Sequence, residues 1–417
     1  MQMKAENAFE TTGQDWANYI SHDMDSNGML SLVALLDGQP DADILRQAVS
    51  DSVALQPVLG CRFDLTQDPP VWLPIQEHGG LFSVAQAETW QEGLAAFLRE
   101  EPGEGQVAAR LVLLAHQSAL FLRLDHAAAD AGGLKSYLRL LNRLYNARYA
   151  GERWMEDISC DRGEARVFES CGVADFRMAL RKEKPAPSPF LTFPYRSVEG
   201  KEACYAFVTI PLAAVKPMSG ATVNDLLLAS CARALSHETD GEQAVTLHMT
   251  VDLRRYFKEE DAPAVCNLSG METVCIDPVR GEPFAKTLEK VRLKTAAIKS
   301  GQPGLASAAA MTYLRQMPFE KARLFLIDAS RKAKRTGEAA PIVSNLGWLF
   351  KGTMRFGNVP VTDVLPLALA MHAPSFMLSA GSYGEHLTLS AGFFDAERRA
   401  QDVERFLQRV KAEMAGE

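Results

Sequence analysis

The stretch from Phe121 to Gly133, FLRLDHAAADAGG, places a histidine between an apolar strand-like run and an amphipathic helix. The helix follows in LKSYLRLLNRLYNARY, where apolar residues recur at helical spacing. A short loop between two rigid elements holds a side chain in a fixed position, and the alanines leave space for a substrate. Because the pKa of histidine lies near neutrality, His126 is a candidate general base. We expect Asp130 to anchor the loop through an ion pair.

The segments before this stretch alternate between strand-like and helix-like patterns. Met29 to Leu36 is apolar and predicts a buried strand, and a helical pattern begins near Asp41. A second helix is predicted from Trp90 to Leu98, followed by a hairpin made of Val107 to Ala115 and Ala119 to Leu124. These elements predict a first domain over residues 1–180.

A proline-rich segment separates the two halves of the chain. Residues 181–202 contain four closely spaced prolines, which remove backbone donors and favour an extended path, so we predict an interdomain linker. The second domain, 203–417, begins with a strand from Ala203 to Ile210 and a helix capped by Thr222 or Asn224. It ends in a helix from Ala396 to about Met414. The predicted fold class is α/β, in two domains.

The composition excludes several classes of protein. A chain of 417 residues with 47% hydrophobic and 23% charged residues is long enough for two folded domains. The net charge of -8 argues against a nucleic-acid partner, and the basic run Arg331 to Arg335 is typical of a solvated helix face. The uncharged run Val364 to Gly381 contains two prolines and predicts buried strands rather than a membrane span. The N-terminus lacks the apolar stretch of a signal peptide, and the seven cysteines lack a paired framework. We therefore predict a reduced, cytoplasmic protein without an integral membrane segment.

Other catalytic chemistries lack their motifs. The sequence has no G-x-S-x-G for a serine hydrolase, no metal-spaced Cys and His cluster, and no glycine-rich phosphate loop. No metal and no tightly bound cofactor are predicted. His372 and His386 lie in apolar late strands, where we predict hydrogen-bonded core histidines rather than catalytic ones.

The motif H-x-x-x-D at His126 and Asp130 resembles the signature shared by chloramphenicol acetyltransferase, the BAHD acyltransferases, wax ester synthases and peptide-synthetase condensation domains. Three later stretches resemble the same superfamily in order and position: TVNDLLLA at 222–229, VDLRRY at 251–256 and SNLG at 344–347. The resemblance covers nearly the whole chain.

The resemblance implies two similar α/β domains with an active-site tunnel between them and His126 at its middle. It implies acyl transfer from a thioester, either acyl-CoA or the acyl-phosphopantetheine of an acyl carrier protein, to a small alcohol or amine. By the same analogy Asp130 pairs with an arginine of the second half, Arg254 first and Arg255 as the alternative. Arginine suits this position because its planar fork matches a carboxylate.

The sequence leaves several points open. The donor of a hydrogen bond to the tetrahedral oxyanion could be the backbone amide of Gly132 or Gly133 or the hydroxyl of Ser344. The site-lining candidates are Asn345, Asn267 and Ser269. Two positions depart from the superfamily pattern: Asp125 stands where many relatives have a first histidine, and Ala131 where a glycine is expected. A binding scaffold without turnover, and a carrier-dependent enzyme that forms amides, remain the alternatives; the protein is expected to be a monomer or a homodimer.

Overall fold

The structure is a computed structural model that describes residues 8–24, 26–101, 103–152, 161–180, 202–215, 220–238, 243–258, 265–277, 279–336, 339–394 and 397–416. The strands are β1 (Phe9–Glu10), β2 (Met29–Leu36), β3 (Cys61–Asp64), β4 (Val71–Pro74), β5 (Phe82–Gln86), β6 (Val107–Leu113), β7 (Ser118–Asp125), β8 (Ala203–Pro211), β9 (Val245–Asp252), β10 (Ser269–Ile276), β11 (Ile342–Trp348), β12 (Arg355–Phe356), β13 (Val359–Leu367), β14 (Ala370–Met371), β15 (Met377–Tyr383) and β16 (His386–Phe394). The helices are α1 (Gly13–Ser21), α2 (Ala42–Leu55), α3 (Trp90–Arg99), α4 (Ala131–Tyr149), α5 (Glu164–Ser170), α6 (Val223–His237), α7 (Phe284–Lys299), α8 (Leu305–Leu314), α9 (Phe319–Thr336) and α10 (Glu397–Ala415).

The first sheet has six strands in the order β12-β13-β2-β7-β6-β5. Strand β7 lies inside it and is buried on both faces, because its alternate residues contact different helices. Leu122 and Leu124 belong to the apolar cluster with α2 and α4, whereas Phe121 packs with Phe97 of α3 on the other face. The predicted hairpin is present, with β6 and β7 antiparallel from Val107 and Leu124 to Leu113 and Ser118.

The first sheet is completed by strands from the later part of the chain. Strand β13 pairs antiparallel with β2, from Val361 opposite Leu36 to Leu367 opposite Ser31. The two halves of the sequence therefore share one sheet. The proposed division into 1–180 and 203–417 remains a prediction, and the predicted linker lies outside the described residues except for Glu202.

The second sheet has seven strands in the order β10-β9-β11-β15-β16-β14, with β8 paired to β16 as well. Helix α6 begins at the predicted cap Thr222, whose side chain accepts a hydrogen bond from the amide of Asp225 while Asp225 bonds back. This reciprocal cap satisfies two backbone donors that a helix start otherwise leaves free. Apolar side chains of α6, α10 and the strands form the second core.

Several sequence-based expectations can be compared with this architecture. The mixed parallel and antiparallel sheets flanked by helices confirm the predicted fold class. The prediction that His386 is a core histidine is wrong, because it begins β16 at an exposed position. His372 is partly buried and stacks on Phe394, with ring centroids 3.8 Å apart. Within the described residues, no helix combines the length and apolar character needed to span a membrane.

Candidate active site

His126 lies at the end of β7, where the first sheet meets elements of the second. A cavity of about 240 Å³ opens beside it, and side chains from both sheets line it. The lining includes His126, Asp130, Ala131, Gly132, Lys135, Thr250, Asp252, Ser269, Ser344, Asn345, Gly347 and Ser379. The predicted base therefore faces a space bounded by both halves of the chain.

The loop after His126 ends at Asp130, which caps helix α4. One carboxylate oxygen accepts a hydrogen bond from the amide of Gly133 at 2.7 Å, and the other accepts one from the amide of Leu268 at 2.8 Å. Nη1 of Arg254 lies 3.0 Å from Oδ1 of Asp130, and both side chains are almost fully buried. Arg255, the alternative partner, has no such contact with Asp130.

The charge state of Asp130 follows from these contacts. Burial on its own raises the pKa of this carboxyl, but Arg254 and the two backbone amides outweigh it, and the net pKa is below its usual value. The carboxylate in turn raises the pKa of Arg254 against the opposite effect of burial. Asp130 is therefore charged at neutral pH and has no proton to exchange.

Glycine at 132 and 133 is explained by close approach. A Cβ atom on Gly132 would lie 2.4 Å from Nη1 of Arg254, and one on Gly133 would lie 2.8 Å from the carbonyl oxygen of Cys266. The pair of glycines thus lets Arg254 and the neighbouring chain reach Asp130. Ala131, where the superfamily pattern has glycine, is the first residue of α4 and lines the cavity.

Asp125, the residue directly before His126, holds the beginning of the loop. Its Oδ1 accepts a hydrogen bond from the amide of Ala127 at 2.8 Å and lies 3.2 Å from Nε2 of His22. Burial lowers the pKa of His22, but Asp125 outweighs that effect and the net pKa is raised. His22 is the residue directly after α1. No sequence motif predicted its contact with Asp125.

A second buried ion pair holds the other side of the loop. Nη2 of Arg162 lies 2.9 Å from Oδ1 of Asp15, and the two side chains are 7% and 0% exposed. Arg162 also donates to the carbonyl oxygen of Ala128 at 2.5 Å and to that of Val265 at 3.3 Å. Trp72 donates its indole N–H to Asp15 at 3.0 Å.

Asn267 connects this pair to the loop. Its side-chain amide donates to Asp15 Oδ1 at 3.1 Å and to the carbonyl oxygens of His126 at 3.0 Å and Ala127 at 2.6 Å. Asn267 is buried beneath the loop, so it contacts the backbone of His126 rather than the cavity.

The candidate donors to an oxyanion and the lining candidate Asn345 differ in the hydrogen bonds that they already make. Gly132 and Ser344 line the cavity, and the hydroxyl of Thr250 donates to that of Ser344 at 3.2 Å. Asn345 also lines it, although its Oδ1 accepts from the amide of Gly347 at 2.9 Å. The amide of Gly133 is already bonded to Asp130.

Lys135 is a cavity residue that sequence reasoning missed. It lies one helical turn into α4, and its Nζ donates to the carbonyl oxygen of Leu346 at 3.0 Å, which joins α4 to β11. Burial lowers the pKa of this amine. Its place on the buried side of α4, four residues after Ala131, is the signal that the sequence contained.

The imidazole of His126 lines the cavity and is partly buried. Burial lowers its pKa, and the charges of Asp130 and Asp125 oppose this only in part. Nδ1 is buried and makes no hydrogen bond of good geometry with the described residues, although the carbonyls of His126 and Ala129 lie near the ring. The ring is therefore neutral at pH 7, as a proton acceptor has to be.

The two mixed sheets of this chain form a fold that is similar to those of solved condensation domains and of an acetyltransferase. The first condensation domain of the calcium-dependent antibiotic synthetase, in complex with a substrate analogue, is similar to this chain with a TM-score of 0.73 and 15% identity over 99% of this chain and 96% of that one. The starter condensation domain of rhizomide synthetase, in complex with C8-CoA, has a TM-score of 0.69 and 15% identity over 98% and 95% of the two chains.

An acetyltransferase is similar as well. Trichothecene 15-O-acetyltransferase from Fusarium sporotrichioides has a TM-score of 0.66 and 12% identity over 98% of this chain and 94% of that one. No family model and no curated protein sequence matches the chain. The chain thus has the same fold as these condensation domains and this acetyltransferase, as the sequence motifs predicted.

Proposed function

We propose that this protein is an acyltransferase that moves an acyl group from a thioester to an alcohol or amine, with His126 as general base. The observation that carries the proposal is a neutral, partly buried histidine that lines a cavity between the two sheets. Acyl-CoA and an acyl carrier protein are the two candidate donors. The solved condensation domain with C8-CoA supports the first of these.

In the proposed reaction, His126 accepts the proton of the acceptor O–H or N–H as the oxygen or nitrogen attacks the thioester carbonyl. The tetrahedral intermediate then collapses, the carbon–sulfur bond breaks, and the imidazolium returns the proton to the leaving thiolate. The products are an ester or amide and a free thiol. Gly132 and Ser344 are the candidate hydrogen-bond donors to the oxyanion, because both line the cavity.

Asp130 and Arg254 are proposed as positioning residues. A charged carboxylate that is fully engaged by Arg254, Gly133 and Leu268 cannot compete with His126 for a proton. It fixes the end of the loop at the start of α4, which sets the distance between the imidazole and the cavity wall.

The test is release of free thiol from a panel of acyl-CoA donors and amine or alcohol acceptors. We expect His126→Ala to lose at least about a hundredfold in kcat, the range typical of a lost general base, with its melting temperature near that of the wild type. His386→Ala is the matched control, because it removes an exposed histidine outside the cavity. The acid limb of kcat/KM should lie below pH 6.5, because burial lowers the pKa of His126.

A scaffold that binds ligands without turnover is the second candidate. One observation favours it. Asp125 stands where many proteins of the resembling superfamily have a histidine, and its carboxylate is engaged by the amide of Ala127 and by His22. If wild type and His126→Ala release thiol equally from every donor, the acyltransferase proposal is rejected in favour of the scaffold. The same assay with acyl carrier protein in place of CoA separates the two donors.

A further inference from the structure

A second cavity lies between α3 and the β8 edge of the second sheet. Its volume is about 550 Å³, and within the described chain it shares no lining residue with the cavity at His126. Trp90 of α3 and Phe207 of β8 form one wall, with ring centroids 5.6 Å apart. A cavity of this size with apolar walls is typical of a small-molecule site.

A buried guanidinium lines this cavity. Arg123 of β7 is 5% exposed, and its Nη1 donates to the carbonyl oxygens of Phe97 at 3.3 Å and Glu100 at 3.2 Å. Its Nε is buried without a hydrogen-bond partner in the described part of the chain. The guanidinium lies over the ring of Phe97, 4.8 Å from its centroid.

The charge of Arg123 is not neutralised by an ion pair among the described residues. The nearest candidate, Glu100, is paired with Arg110, and the other acid that lines the cavity, Glu202, lies 3.7 Å from Arg99. Burial consequently lowers the pKa of Arg123 even though the charge of Glu100 opposes this. Buried cations in proteins are normally paired, because an uncompensated charge is costly in a medium of low polarity.

A neutral hydroxyl donor lies near the same guanidinium. Tyr205 of β8 lines the cavity and interacts electrostatically with Arg123, and its hydroxyl accepts a weak hydrogen bond of 3.5 Å from Asn27. Burial raises the pKa of Tyr205 to about 12. The phenol therefore keeps its proton at neutral pH and can donate it to an anion.

We propose that this second cavity binds a small amphipathic carboxylate, with Arg123 and Tyr205 as the anion partners and Trp90 and Phe207 against the apolar body. A single guanidinium balances one negative charge and can bind a carboxylate through two parallel N–H···O bonds, whereas a multiply charged phosphate group would keep uncompensated charge in this cavity. Arg123 also bonds the last carbonyls of α3, so the arginine has a structural role beside this one.

The site lies close to the catalytic loop. Met29 lines the second cavity and is opposite Asp125 in the pairing of β2 with β7, while the next residues, Leu30 and Ser31, line the cavity at His126. The proposal does not depend on the proposed function, since occupancy of the second cavity needs no turnover.

Isothermal titration of the full chain with octanoate and with octanamide tests the proposal. We expect octanoate to bind and octanamide to bind about tenfold more weakly or not at all, because the amide lacks the charge. Arg123→Gln should weaken octanoate about tenfold, and Tyr205→Phe a fewfold. Ala95→Phe, which places a ring in the cavity from α3, should abolish binding without a change in melting temperature.

Two controls locate the ligand. Arg99→Gln removes a cation from the rim of the same cavity that is 63% exposed, and it should change octanoate affinity by less than about twofold. His126→Ala should leave octanoate binding unchanged, which separates this site from the catalytic one. If Arg123→Gln does not fold, Tyr205→Phe and the ratio of octanoate to octanamide affinity decide the question.

Three outcomes would overturn the proposal. The first is no octanoate binding at millimolar concentration, which would leave Arg123 with its helix-capping role alone. The second is equal affinity for octanoate and octanamide, which would mean that the cavity recognises only the apolar body. The third is unchanged binding by Ala95→Phe, which would place the ligand elsewhere.

Discussion

Two buried aspartate–arginine pairs hold the loop of His126 from opposite sides, and they differ in how they are built. Asp130 and Arg254 are 5% and 11% exposed at the side chain, and Arg254 has a second acidic neighbour in Asp252 at 3.2 Å. Asp15 and Arg162 are 0% and 7% exposed, and Arg162 bonds two backbone carbonyls in addition to its partner. The first pair lies at the edge of the cavity, and the second lies beneath the loop.

The segment 265–268 runs between the two pairs and contacts both. Arg162 bonds the carbonyl of Val265, Arg254 bonds that of Cys266 at 2.8 Å, and the amide of Leu268 bonds Asp130 at 2.8 Å. The position of His126 is therefore set by residues from four separate parts of the chain. Because both ion pairs contact the same loop, its backbone is held in one conformation and the position of His126 is fixed.

The largest expected effect is that of Arg162→Met. The change leaves the carboxylate of Asp15 buried without its counter-charge and two carbonyls without a donor, so we expect a loss of about 3–5 kcal/mol in the free energy of unfolding. Urea unfolding measures it. The double variant Asp15→Asn/Arg162→Met should recover part of the loss, because it removes the uncompensated charge.

The control for this variant is Arg331→Gln, which breaks an exposed pair with Asp328 on α9. Exposed pairs contribute about 0–1 kcal/mol, so little change is expected. A loss of less than about 1 kcal/mol in Arg162→Met would contradict the importance of the deeper pair.

Arg254→Met should lower the free energy of unfolding less than Arg162→Met does. It should disturb the cavity at His126 more, because its partner Asp130 lines that cavity. Asp130 keeps the amides of Gly133 and Leu268, so we expect a loss of about 2–3 kcal/mol. Because the pKa of Asp130 is lowered in the folded protein, its stabilising contribution is complete above the unfolded value near 3.8 and is lost as the pH falls through the folded value. The difference between wild type and Arg254→Met should therefore shrink below about pH 4, as followed by circular dichroism.

The two pairs also show what the sequence could reveal. Asp130 follows His126 in a local motif, and the resemblance to the H-x-x-x-D acyltransferases predicts Arg254 or Arg255 as its partner. Asp15 appears in the sequence only as a residue of a helix start, in TTGQDW, where it completes the cap with Thr12. Nothing local connects it to Arg162, 147 residues later. Such a contact arises from how α1 packs against the later helices, which periodicity does not encode.

The fold, like the ion pairs, was predictable where local sequence determines structure and not where distant segments meet. The strands and helices around His126 follow from hydrophobic period and capping residues, which act over a few positions. The addition of β12 and β13 to the first sheet was not predicted, because strand pairing between residues 32 and 366 leaves no trace in local pattern. Asn267 was named as a lining residue, yet it lies beneath the loop, where its amide bonds two carbonyls.

Asn267→Ala tests whether the deeper pair acts on the base through the loop backbone. The variant leaves the carbonyls of His126 and Ala127 without their side-chain donor, and we expect a loss of about 1–3 kcal/mol in stability. If the acyltransferase proposal holds, kcat should fall about tenfold or more while KM changes little, since a displaced base affects the reaction rather than binding. Asn358→Ala, which removes an exposed asparagine that does not line the cavity, is the matched control. A fall in stability without any change in kcat would limit Asn267 to a structural role.

The smallest effect on stability is expected from His22→Gln. Its dependence on pH has the opposite sign to that of Arg254→Met. The pKa of His22 is raised in the folded protein through Asp125, so its contribution is complete below the unfolded value near 6.5 and is lost as the pH rises through the folded value. We expect the variant to be less stable than wild type by about 1 kcal/mol or less at pH 5.5 and equal to it at pH 9. Chemical denaturation at the two pH values measures this, with His386→Gln as an exposed control. A difference that grows with pH would contradict this assignment, and equal stability at both pH values would mean that Asp125 holds the loop through the amide of Ala127 without help from His22.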